Sequence, residues 1–171
     1  MKNAEKGCRL TVPYPAPRRP ERLPVPQTVH RLRRAAAGPG GVMTVLHRSL
    51  RRAAVCRENG EDGLAALLEA EAQTALDHLE LLARMLVCCG AENPFFVPQG
   101  GHKIWWSGAW TGTCRKEELS AEVLLRETLA DCTAWQSLAD ALPLSLRPCA
   151  ERILADRLHH AGLLRQRLIG G

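Results

Sequence analysis

The chain has 171 residues, of which 46% are apolar and 24% charged, with a formal net charge of +5. A domain of this size can bury roughly 70% of its unfolded surface, and this composition excludes collagen-like, wholly disordered and acidic-tail classes. No apolar run reaches the roughly 18–20 residues of a membrane span, and the N-terminus lacks the apolar stretch of a signal peptide, so a soluble cytoplasmic protein is expected.

Charge is unevenly spread. Residues 1–34 hold nine basic side chains against Glu5 and Glu21, a net +7 that leaves −2 for the rest. Six of the eleven prolines also fall here, between Pro13 and Pro26, and that density removes the backbone donors that helix and sheet require. Residues 1–27 are therefore expected to be an extended basic tail outside the core, disordered or ordered only by a neighbouring chain. No interleaved set of aromatic residues accompanies the charge, so nucleic acid is not the expected partner; a protein partner or self-association is.

From residue 28 onward, apolar positions recur at three and four, the filler is Ala, Leu, Glu and Arg, and clear strand alternation is absent. A first helix is predicted from about Thr28 to Cys56, interrupted or kinked at Gly38-Pro39-Gly40-Gly41. After the polar turn Glu58–Gly63, with Asp62 as candidate N-cap, a second helix runs to Cys89 and stops at Gly90. A long connection follows that carries five of the six Phe and Trp residues, a density that predicts packing over the bundle. Helices from about Cys114 to Leu142 and from Leu146 to Ile169 complete the chain, with Pro143 between them. Two short connections flanking one long crossover define an all-α, ferritin-like four-helix bundle over residues 28–171, with the aromatic crossover between helices two and three.

Seven cysteines (Cys8, Cys56, Cys88, Cys89, Cys114, Cys132, Cys149) form no C-x-x-C pair and read as reduced, small apolar residues, with Cys88-Cys89 alone suggesting a reactive thiol. The predicted inward faces carry polar groups: Glu71 and His78 on helix two, Glu127 and Asp131 on helix three, Arg157 and His160 on helix four. Buried charges are costly unless paired or metal-bound. Glu127 and Arg157 are accordingly expected to form a buried pair, and His78 and His160 to be hydrogen-bonded core residues with Glu71 and Glu127 as acceptors.

Several segments resemble bacterial ferritin-like proteins related to manganese catalase and the rubrerythrins. Ala75-Leu76-Asp77-His78-Leu79-Glu80 with the turn Cys89-Gly90-Ala91-Glu92-Asn93-Pro94 is similar to the family's Glu-x-x-His-Leu-Glu segment and turn. Trp105-Trp106-Ser107-Gly108 resembles its crossover element, and Ile153–His160 its closing Asp-Glu-x-x-His. The resemblance implies a dinuclear centre whose ligand positions fall on Val42, Ala75, His78, Glu127, Arg157 and His160. Three of those six cannot coordinate a cation, and Arg157 adds a fixed positive charge. His78, Glu127 and His160 remain as residual metal ligands, His78 belonging to one metal and Glu127 with His160 to the other. The expected function is that of a degenerate bundle, a pseudoenzyme without its dinuclear centre or any cofactor, in a structural or partner-binding role. The alternative is an iron- or manganese-dependent redox enzyme, peroxide-handling or oxidase, at a remodelled site.

Overall fold

The computed structural model describes residues 7–22, 26–91, 96–112 and 119–170. These are mostly helical, in the order α1 (Pro26–Ala37), α2 (Val42–Glu58), α3 (Asp62–Cys88), β1 (Phe96–Gln99), β2 (His102–Trp105), a 3₁₀ turn (Gly108–Thr111), α4 (Ala121–Ala141) and α5 (Arg147–Gly170). Helix α2 packs along α3, and α4 along α5, each pair turning back on itself through a short connection. The stops are written locally. Gly60 and Gly90 adopt positive φ after α2 and α3, and the amides following them return to Cys56 O and Leu86 O in the Schellman pattern that satisfies terminal carbonyls.

Apolar burial is divided in two. One cluster joins α1 to α5 through Leu32, Leu46, Leu82, Met85, Trp135 and Ile153, and a second joins Ala53, Leu64, Leu68, Leu124 and Leu164. Each fully buried leucine contributes about 1.5–3 kcal/mol, so both clusters hold the helices firmly. Between them, at the level of Ser49, Glu71 and Arg157, the interior is polar.

Four expectations change. The first helix is two helices, because the chain folds back at Gly38–Gly41; a Cβ on Gly38 would meet Arg34 O at 2.5 Å, so the turn closes only with glycine there. The aromatic connection contains a β-hairpin, β1 pairing with β2 around Gly100 and Gly101, whose φ values of +56° and +82° suit the two-residue turn that matches strand twist. Two of its aromatics pack on the helices, while Trp105 is exposed: Arg33 lies 4.0 Å over the Phe96 ring, and Trp106 donates to Thr44 Oγ1 at 3.0 Å and stacks on His47. The third helix begins, among the described residues, at Ser120, which caps α4 by accepting from Val123 N; Cys114 lies outside them.

The fourth change is the largest. Residues 7–18 are not a free tail but lie against α3 and α5. Leu10 N–H and the Tyr14 hydroxyl both donate to Asp156, each at 2.7 Å, and Arg152 donates to Leu10 O at 2.9 Å and Val12 O at 2.8 Å. Cys149 and Cys88 thiols reach Pro15 O and Pro17 O, each at 3.6 Å. Prolines deny the arm donors of its own, but they leave its carbonyls free, and buried carbonyls need partners. Helices α5 and α3 supply them from their side chains. Residues 1–6 and 23–25 lie outside the described residues.

Candidate functional site

The polar layer centres on Arg157 of α5. Its Nη1 donates to Glu71 Oε1 of α3 and its Nη2 to Asp131 Oδ2 of α4, both at 2.6 Å. Glu71 accepts in addition from Ser49 Oγ of α2 at 2.7 Å and lies 3.3 Å from His160 Nε2 of α5. Four helices are thus tied through one carboxylate and one guanidinium. Burial would push the Glu71 carboxyl up, but His160, Arg157 and Ser49 outweigh it and hold the group at about 2. Burial likewise opposes the charge on Arg157, and Glu71 and Asp131 overcome it, raising its pKa further. Asp131 is pushed up, burial exceeding the pull of Arg157.

A second cluster lies one layer away. His78 Nε2 is 3.1 Å from Asp156 Oδ2, and Arg152, Leu10 N–H and Tyr14 complete the shell of that carboxylate. Burial alone would raise the Asp156 pKa, but these partners hold it at about 2. Burial pushes both His78 and His160 down, beyond what their neighbouring carboxylates restore. Both imidazoles are therefore neutral near pH 7. An ionised carboxylate only accepts, so each Nε2 carries the proton. His160 Nδ1 is then the acceptor facing the Cys8 thiol at 2.9 Å.

Cys8, His160 and Glu71 thus stand in the order of a nucleophile, base and orienting acid. The chemistry differs from the order. Cys8 is 1% exposed, and burial together with Glu71 pushes its pKa far above the ordinary thiol value, so it is held as a thiol and not as the thiolate that attacks.

The expected buried pair of Glu127 with Arg157 does not form. Glu127, whose side chain is 32% exposed, is bound in a bidentate manner by Arg52 of α2 at 2.6 and 3.0 Å, with Arg48 at 3.7 Å. Arg157 turns to Glu71 and Asp131 because those carboxylates share its buried layer. The acceptors also redistribute: His160 meets Glu71 as one of the two expected acceptors, whereas His78 meets Asp156, and Glu127 serves neither histidine. Glu71 and His78 are seven residues apart on α3, about 10 Å along the axis. The three residual ligands His78, Glu127 and His160 are therefore engaged with three different partners in separate places. Val42 and Ala75 are buried among apolar side chains of the first cluster.

A dinuclear centre does not fit this donor set. Arg157 places a permanent cation between Glu71 and Asp131, and Val42 and Ala75, on which the resemblance would put two ligands, offer no side-chain oxygen. Among the described residues, no group of three His, Cys, Asp or Glu side chains converges as a metal site. Asp156 and Tyr14 escaped the sequence reading, which took Cys8 only as a reduced, small apolar residue. Arg152 and Asp156 have the i,i+4 spacing of a solvated ion pair, and here the docked arm together with His78 of α3 covers that face. In comparisons with protein-family models, curated proteins and solved structures, the chain matches none.

Proposed function

We propose that this protein is a degenerate ferritin-like bundle with a structural or protein-binding role, in which an arginine stands where metal chemistry would otherwise be housed. The observation that carries the reading is the Arg157 guanidinium bridging Glu71 and Asp131 at 2.6 Å each. Two carboxylates and a histidine in the middle of a helical bundle are a cation-binding composition, and here the cation is a side chain. The order of short, long and short connections and the family-like segments on α3 and α5 support the ferritin-like part of the reading. A surface for a partner is offered by α4 and α5, where Leu129 and Leu158 are exposed on paired helices beside a groove of 710 Å³.

Elemental analysis of protein produced with iron and manganese in the medium tests the proposal. Metal well below one equivalent per chain is expected. One or two tightly held equivalents would overturn it in favour of a redox enzyme at a remodelled site.

A further inference from the structure

The arm ends where two helices begin. Arg18 N–H donates to Ser145 O at 3.4 Å, which sets the arm beside the turn that leads into α5. A cavity of 900 Å³ lies there, lined by Arg18, Arg19, Glu21 and Arg22 of the arm, Thr28 in the first turn of α1, and Ser145 just ahead of α5. Among the described residues, no carboxylate pairs with Arg18, Arg19 or Arg22, and the buried Ser145 hydroxyl has no hydrogen-bond partner. Neither α1 nor α5 carries an acidic residue in its first turn.

We propose that this cavity binds a phosphoryl group, either free in solution or carried on a lipid headgroup. Three guanidinium groups set against Glu21 leave a local charge of about +2. A single carboxylate neutralises only half of that, whereas a phosphate monoester or a diphosphate supplies two or three charges on clustered oxygens. Arginine is suited to such oxygens because its planar fork pairs with two at once. The thirteen-residue span from Leu10 to Arg22 explains the arrangement: its first half is fastened to α5 by Asp156 and Arg152, which delivers the basic second half to the helix starts.

The test is calorimetric titration of the full chain with inorganic pyrophosphate at low salt, beside Arg19→Glu/Arg22→Glu, whose side chains are exposed and whose replacement leaves the core intact. Saturable one-to-one binding is expected in the parent, weakened about tenfold or more in the variant. Vesicles of phosphatidylcholine with and without phosphatidic acid distinguish the sources. Binding to pyrophosphate alone identifies a soluble ligand, and added retention on phosphatidic acid vesicles identifies a headgroup. Failure of both probes, or unchanged affinity in the variant, overturns the proposal. So does tighter binding to duplex DNA with a steep salt slope, which marks a diffuse basic surface instead of a pocket.

Discussion

Arg157 and Glu71 meet at 2.6 Å between the two apolar halves of the core, and the side chains of both are only 8% exposed. An ion pair in that position gains little over a well-packed apolar pair, yet it is costly to break, because the surviving partner is left charged and dry. Arg157→Ala should therefore lower stability by about 3–5 kcal/mol. Glu127→Ala removes a carboxylate that is about one-third exposed but takes the bidentate partner from the buried Arg52, so it should cost less, about 1–3 kcal/mol. Urea denaturation of the two variants checks the order, and an equal loss in both would show that the layer around Arg157 is not the central one.

Acid should act in two stages, and the sign follows from the direction of each shift. Burial holds His78 and His160 below their ordinary values, so the unfolded chain takes up protons first and stability falls as pH drops below about 6.5. Glu71 and Asp156 are held at about 2, and the stability they confer is present above the unfolded carboxylate range and lost as pH falls from about 5 towards 2. Asp131 acts in the opposite sense, since its raised pKa makes the folded form the stronger proton binder. Each depressed carboxylate contributes on the order of 2–3 kcal/mol, so their sum outweighs Asp131. Thermal melts between pH 8 and pH 4 should show a midpoint that declines in acid; a flat profile would contradict the neutral, buried histidines.

The arm can be tested at Tyr14, the only tyrosine in the chain. Its hydroxyl donates to Asp156 at 2.7 Å, and burial with that hydrogen bond raises its pKa well above the ordinary phenol value. Tyr14→Phe leaves the ring against His78 and Arg152 but deletes one donor from a buried carboxylate, at a cost of about 1–3 kcal/mol. Hydrogen exchange gives a second reading: the Leu10 amide, bonded to Asp156, should exchange far more slowly than a free chain. Exchange at the unprotected limit there would mean that the arm does not dock.

How much of this was legible in the sequence depends on periodicity. Helices α3 and α5 were readable because long amphipathic runs end in a glycine or a proline-bearing turn, and the inward placement of Glu71, His78, Arg157 and His160 followed from steps of three and four. Pairing was not readable. Glu127 and Arg157 both lie on predicted inward faces, but only tertiary geometry decides that Arg52 reaches the first and that Glu71 and Asp131 reach the second. The hairpin was hidden because Gly100-Gly101 reads as a generic loop without alternating neighbours. The arm misled for a physical reason: proline forbids regular structure, but it does not forbid docking, and the donors that fasten residues 10–17 come from side chains more than 70 residues away in sequence.

The idea that Arg157 takes the part of a cation can be tested by removing it. Arg157→Gln leaves Glu71, Asp131 and His160 gathered around an uncompensated negative layer, with a shorter, neutral amide in place of the guanidinium. Without metal the variant should be clearly less stable than the parent, because Glu71 loses the charge that keeps it ionised in the interior. A divalent ion that enters the layer restores the missing charge, and binding only the folded state stabilises it by RT ln(1 + [L]/Kd), about 2.7 kcal/mol at a hundredfold excess over Kd. Manganese or zinc should accordingly raise the melting temperature of Arg157→Gln and leave that of the parent unchanged. A substantial rise in the parent with stoichiometric manganese or iron would mean that a metal site coexists with the arginine, and the structural reading of this bundle would give way to the redox one.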